Sequence, residues 1–247
     1  MRSDRFTRRA ALTLAAGLSL AAAVPAIAQD GANKIRIGVI GAGNIGGTIG
    51  SLWVKDGHEV MFASRHPETL APLVSELGPK AKAGTPEEAI KFGEAVFIAV
   101  PYKAYPDLAK EIGPALKGKV VLDAGNATQK RDGALYDEVQ ASGIGAISAK
   151  YFPGAKLVRA FNAANYKVFA KEGSDGGRGR AGGRMAIPIA GDDPDALKVA
   201  AGLVRDAGFD PVVVGPLKDA DKFAMGSPGF GHDVTAPELR EKLGLTQ

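Results

Sequence analysis

The sequence predicts an α/β fold: a doubly wound, mostly parallel sheet with helices on both faces. Two observations carry this. Short apolar runs alternate with helical patterns along the chain, and the first run leads straight into Gly41-Ala42-Gly43-Asn44-Ile45-Gly46, a G-x-G-x-x-G sequence at a strand-to-helix junction.

The apolar runs are Ile35–Ile40, Glu59–Ala63, Ala95–Val100, Val120–Leu122, Leu157–Ala160, Ala186–Ala190 and Val212–Val214. Most are hydrophobic almost without interruption, as strands buried on both faces must be. Their alternation with helices implies right-handed crossovers between parallel strands. Three helix starts are readable. Thr85-Pro86-Glu87-Glu88 has a capping threonine, proline at the first helical position and a glutamate three residues past the cap. Asp193-Pro194-Asp195 opens a helix running toward Gly208, and Thr235-Ala236-Pro237-Glu238 repeats the capping box before Leu239–Leu243. The last helix is short enough to depend on docking. The stretch from Gly173 to Gly183, glycine-rich with Arg178 and Arg180 and followed by Arg184, is expected to be a surface loop. It is either simply solvated or presents its arginines to an anionic ligand.

Residues 1–28 read as an export signal. Arg2, Arg5, Arg8 and Arg9 precede an uncharged Ala/Leu-rich run from Ala10 to Val24, and Ala26-Ile27-Ala28 supplies a small-residue cleavage site. The run is short for a bilayer span. Arg8-Arg9 suggests the twin-arginine route, although Ala11 stands where that pattern usually has a bulky residue. The expectation is a periplasmic protein with no membrane anchor after cleavage. The mature chain is expected to divide into a dinucleotide-binding domain over 33–163 and a smaller C-terminal lobe on the substrate side over 164–247.

The full chain has 31 basic and 27 acidic side chains. Four arginines and Asp4 belong to the signal, so the mature chain keeps 27 basic and 26 acidic groups. That balance gives no reason to expect nucleic acid as a partner. The chain has no cysteine, which excludes disulfides, thiol catalysis and thiolate metal sites. His58, His66 and His232 lack ligand-like spacing, and no metal site is expected.

The glycine motif follows a strand, opens a helix at Thr48–Val54 and precedes a second strand at Glu59–Ala63, so it sits in a complete Rossmann-type βαβ setting. Each glycine then has a role. Gly41 permits the tight turn, Gly43 lets a pyrophosphate approach the backbone, and Gly46 lets helix and strand pack closely. The helix N-terminus offers free N–H groups and positive dipole to the phosphates. The end of the second strand separates the cofactors. An NAD site usually places Asp or Glu there for the ribose hydroxyls, whereas this chain reads Ala63-Ser64-Arg65-His66. Ser64 donates a hydrogen bond and Arg65 a charge-assisted one to a 2′-phosphate, which favours NADP(H).

These motifs, with Ala99-Val100-Pro101-Tyr102, Leu122-Asp123-Ala124-Gly125-Asn126 and Pro153 through Asn162, give a chain that resembles the NADPH-dependent reductases of the deazaflavin coenzyme F420 over nearly all of Lys34–Leu243. The resemblance implies that Ala42, Gly43, Asn44 and Ile45 line the pyrophosphate and that Ser64 and Arg65 hold the 2′-phosphate. It places Val100 and Pro101 at the ribose and nicotinamide, and Asn126 near the same pocket. Phe161, Asn162 and Ala163 would face the second substrate. Phe161 reads equally well as core, and Asn126 as a turn residue.

Hydride would pass directly between nicotinamide and a flavin, a deazaflavin or a similar small electron acceptor, so no side chain is named as general acid or base. His232, Tyr102 and Tyr105 receive no proton role. Three other readings stand beside this one: a non-catalytic NADP-binding or redox-sensing module, an imine reductase, and a ferric or flavin reductase. A homodimer is compatible with all of them. The export signal sets the chain apart from relatives that look cytoplasmic.

Overall fold

The computed structural model describes residues 34–245. The export signal expected at 1–28 lies outside them. Among the described residues, no helix is long and apolar enough to cross a membrane.

The first half runs β1 (Arg36–Ile40), α1 (Asn44–Asp56), β2 (Glu59–Ala63), α2 (Ala71–Leu77), β3 (Ala81–Gly84), α3 (Pro86–Phe92), β4 (Ala95–Ile98), α4 (Tyr105–Ile112) and β5 (Val120–Asp123). It continues with α5 (Gln129–Asp132), α6 (Ala134–Ser142), α7 (Ile144–Tyr151), β6 (Lys156–Arg159), α8 (Tyr166–Glu172), β7 (Ala186–Gly191), α9 (Pro194–Asp206), β8 (Asp210–Gly215) and α10 (Ala236–Lys242). A 3-10 segment, Leu217–Phe223, follows β8.

All eight strands join one sheet in the order β3-β2-β1-β4-β5-β6-β7-β8. Strands β1 to β6 are mutually parallel, β7 runs antiparallel to β6, and β8 returns parallel to β7. This is the Rossmann order with two strands added. Residues 164–245, the described part of the expected smaller lobe, extend the same sheet and lie in one compact unit with the other described residues.

Burial explains why the sheet can be parallel. Every residue of β4 and β7 is buried, so helices must cover both faces. One face packs Trp53, Phe62, Phe97, Phe161, Phe169 and Phe209 beneath α1, α8 and α9. The other packs Tyr102, Tyr105, Phe152 and Phe223 with α3, α4 and α7. Trp53 also donates its indole N–H to the Leu203 carbonyl at 2.8 Å, which fixes α1 against α9.

The capping boxes at Thr85/Glu88 and Thr235/Glu238 are both formed, and the Asp193 side chain caps α9. Edge strand β3, Ala81-Lys82-Ala83-Gly84, has no counterpart among the apolar runs, because its two central residues are exposed.

Candidate functional site

The strand order reverses between β1 and β4, since β2 and β3 lie to one side of β1 and the remaining strands to the other. Ligands of open α/β sheets bind at such a switch point, beyond the carboxyl ends of the strands. A cleft of about 470 Å³ opens there, lined by Gly41, Ala42, Gly43, Ser64, Arg65, Val100 and Pro101 among others.

The glycine loop is shaped as its sequence requires. Gly41 has φ of +95°, and a Cβ on it would stand 2.6 Å from Val100 Cγ1. A Cβ on Gly46 would lie 2.0 Å from the Gly41 carbonyl oxygen, so only glycine lets α1 approach the turn this closely. At Gly43 a Cβ would meet nothing within 4 Å, leaving the backbone open to the cleft. Helix α1 begins without a side-chain cap and with no acid in its first turn. Its positive end is therefore left for an anion.

At the end of β2, the Ser64 N–H donates to the Gly84 carbonyl at 3.2 Å, and Ser64 Oγ accepts from the His66 N–H at 3.0 Å. Arg65 is exposed, and among the described residues it has no ion pair or side-chain hydrogen bond. The acids of this cleft are Asp107 and Glu111, both on α4's side of the lining. An exposed guanidinium beside an open glycine backbone fits a phosphorylated dinucleotide.

Asn44 and Ile45 line a second cleft, of about 540 Å³, together with Asn126, Asn162, Tyr166, Met225, Phe230 and His232. Asn126 Nδ2 donates to the Asn162 carbonyl at 2.7 Å, and Asn162 Nδ2 donates to the Phe223 carbonyl at 3.1 Å. The loops after β5 and β6 and the 3-10 segment are thus laced together around this floor. Asn126 belongs to the second cleft and does not line the first.

All three residues expected to face the second substrate are buried, and two of them belong to the core clusters. Phe161 is 1% exposed, and its ring packs edge-on against Trp53, Phe97, Phe169 and Phe209 at centroid distances of 5.9, 5.7, 5.9 and 6.2 Å. It is also the one non-glycine residue with positive φ, at 59°, among the described residues. That left-handed turn sends the ring into one core face, while Phe161 still belongs to the lining of the cleft. Ala163 is buried in the other core face, and its carbonyl accepts from the Gly231 N–H at 2.7 Å. Phe161 and Asn162 line the cleft, and Ala163 does not.

Beneath this floor lies a buried ion pair that the sequence did not announce. Arg159 Nη1 stands 2.6 Å from Asp123 Oδ2, and neither side chain is exposed. Asp123 Oδ1 accepts from the Gly125 N–H at 2.8 Å and from the Tyr105 hydroxyl, while Arg159 Nη2 donates to the Gly125 carbonyl. The Tyr105 phenol is pushed well up by burial and then by the Asp123 charge, and Tyr102, stacked on it at 4.2 Å, is raised for the same reasons. Both stay neutral and act as hydrogen-bond partners.

A second carboxylate organises the rim. Asp132 accepts from the Thr128 N–H at 2.6 Å, the Lys103 N–H at 2.9 Å and Arg131 Nε at 3.0 Å. Burial would raise its carboxyl, but the bonds from Arg131 and Thr128 outweigh it and hold it below the usual range. It ties the loop after β4, which bears Pro101, to the loop after β5, which bears Asn126. In the glycine-rich stretch, Arg178 turns back on Asp175, Arg180 reaches Glu172 and Asp233, and Arg184 reaches the Arg205 carbonyl.

At the opposite, amino end of the sheet, Asp56, His58 and Asp206 come together with ligand atoms within 4.8 Å of one another. His58 Nε2 contacts Asp206 at 2.9 Å, and Lys34 Nζ pairs with both aspartates. An ammonium already occupies the charge that a cation would need, which makes this a strand-end tie.

The fold and the first cleft define a dinucleotide-binding protein of the Rossmann type. Residues 36–127 match the model of the family described as "NADP oxidoreductase coenzyme F420-dependent". It is 28% identical over 185 residues to Metalloreductase STEAP3 of Rattus norvegicus, an alignment covering 75% of this chain and 35% of that protein. The chain therefore spans about a third of the length of that relative. A hypothetical protein from Sinorhizobium meliloti superposes with a TM-score of 0.67 at 26% identity, over 82% of this chain and 96% of the other. A proposed F420-dependent NADP-reductase from Arthrobacter sp. FB24 gives 0.64 at 24% identity, over 76% and 87% of the two chains, and shows the shared fold.

Proposed function

We propose that this protein is an NADP(H)-dependent oxidoreductase that passes hydride between nicotinamide and a flavin, a deazaflavin or another small electron acceptor. The observation that carries the reading is the placement of Arg65. Among the described residues it stands unpaired at the end of β2, in the same cleft as the open backbone of Gly43, where an NAD site would have a carboxylate. In this reading Ser64 and Arg65 hold the 2′-phosphate, and the glycine loop with the N-terminus of α1 holds the pyrophosphate. Val100 and Pro101 border the ribose and nicotinamide. When bound, the nicotinamide supplies or takes the hydride. The protein contributes apposition, with Asn126 and Asn162 fixing the floor of the second cleft as the acceptor side. The family model that residues 36–127 match supports the cofactor class.

The arginine-rich leader supports a periplasmic location for the mature protein, reached in the folded state. A twin-arginine route would allow the cofactor to cross already bound.

The test is an anaerobic assay of the mature protein with NADPH carrying deuterium at nicotinamide C4 and with flavin mononucleotide (FMN), a deazaflavin or a ferric chelate as acceptor. NADPH oxidation with a primary isotope effect is expected with at least one of them. Tight NADPH binding without turnover on any acceptor would instead mark a binding or sensing module. A second reading, electron delivery to a metal ion, draws on the similarity to metalloreductases, and turnover with the ferric chelate alone would favour it.

A further inference from the structure

The glycine-rich stretch and the outer wall of the second cleft are joined by one side chain. Arg180 Nη2 donates to the Asp233 carbonyl at 2.7 Å, while Nη1 pairs with the Asp233 carboxylate and with Glu172 Oε2 at 3.4 Å. The side chain is 19% exposed, and two carboxylates neutralise it, so it is spoken for before any ligand arrives. Glu172 takes part from the end of α8, the helix whose first residue, Tyr166, lines the same cleft.

At its outer end the wall has one backbone tie, the Val234 carbonyl accepting from the Ala186 N–H at 2.8 Å. From Met225 to Asp233 the chain forms neither helix nor strand, and Gly226 and Gly231 have positive φ. Its inner part is tied by Gly229 N–H to the Lys222 carbonyl at 3.0 Å and by Gly231 N–H to the Ala163 carbonyl at 2.7 Å. At its outer end, His232 and Asp233 border the cleft and Arg180 is the side chain that reaches them. Met225, at 49% exposed, is one of two large hydrophobic side chains left in solvent among the described residues, and it stands at this cleft beside the half-buried Phe230. An adaptable apolar side chain kept exposed at a cleft mouth suits a ligand surface.

We propose that Arg180 is a positioning residue for the acceptor side of the site. It latches the Met225–Asp233 wall so that Met225 and Phe230 present an apolar face to a flat conjugated acceptor, without touching the acceptor itself. This rests on the reading of the second cleft given above. Without the latch the wall is competent only part of the time, and the apparent affinity for the acceptor falls by that fraction.

The experiment pairs hydrogen exchange by mass spectrometry over 225–233 with steady-state kinetics, using the full mature chain and its Arg180→Ala and Arg180→Lys variants. In Arg180→Ala, exchange over 225–233 should accelerate about tenfold, and KM for FMN should rise by a similar factor, with kcat and the Kd for NADPH little changed. Arg180→Lys keeps the charge but not the fork that grips both Asp233 oxygens, and should fall between. If the alanine variant does not fold, the lysine variant carries the comparison. Unchanged exchange over 225–233 overturns the latch. Faster exchange with an unchanged KM for FMN overturns its part in acceptor binding. Absence of FMN turnover in the unsubstituted protein counts against the oxidoreductase reading, and the exchange data still decide whether Arg180 holds the wall.

Discussion

Arg159 stands directly across from Asp123 in the β5–β6 ladder, and the two side chains meet at 2.6 Å with no solvent exposure. The contact is close but poorly aligned as a hydrogen bond, so attraction between charges, rather than direction, is what joins them. Burial works to discharge the guanidinium, and the neighbouring Asp123 charge outweighs it. Both partners bond to Gly125, the residue before Asn126, so the pair sets the height of the second cleft's floor.

Removing one partner should therefore cost far more than removing both. Arg159→Met leaves Asp123 buried without a counter-charge, a loss of about 3–5 kcal/mol. The double variant with Asp123→Asn should recover part of that loss. Urea unfolding of the four proteins in a double-mutant cycle checks this, and additive losses would show that the pair does not act as a unit.

Asp132 makes a pH-dependent version of the same point. Its folded-state carboxyl is depressed, so its stabilisation is present above the unfolded value near 4 and is lost as pH falls through the folded value. Asp132→Asn should cost about 1.5–3 kcal/mol at neutral pH. The gap between the two proteins should stay flat down to about pH 5 and close below it. Stability measured across acidic pH checks this, and a gap that widens in acid would contradict it.

Phe161 separates a core role from a substrate role. Phe161→Leu should lower stability by about 1–3 kcal/mol, through lost ring contacts within the aromatic cluster. KM for the acceptor should stay within about twofold, because the side chain is 1% exposed and packed within the aromatic cluster. A large rise in KM in a stably folded variant would return the side chain to the substrate.

What the sequence made legible follows from locality. The glycine motif, Ser64-Arg65 and the capping boxes each work within a few residues, and the strands they sit between are continuous apolar runs. Pairings across the sheet were not legible. Asp123 and Arg159 are ordinary charged residues until the strand register sets them side by side. The Asp132 tie spans Lys103 to Thr128, and the Arg180 latch spans Glu172 to Asp233. Strand β3 was missed because Ala81-Lys82-Ala83-Gly84 has neither bulk nor β-branching and pairs only at an edge. Phe161 shows the limit at a single residue. Its place beside Asn162 suggested a site, while an uncommon left-handed backbone turned it into the core.

The assignment of the first cleft rests on Arg65, and calorimetric titration of NADPH and NADH into the protein and its Arg65→Ala variant measures it directly. The unsubstituted protein should bind NADPH roughly 10- to 100-fold more tightly than NADH, and Arg65→Ala should remove most of that difference while leaving NADH affinity nearly unchanged. Equal affinities for the two cofactors in the unsubstituted protein, or a preference for NADPH that survives in Arg65→Ala, would contradict it.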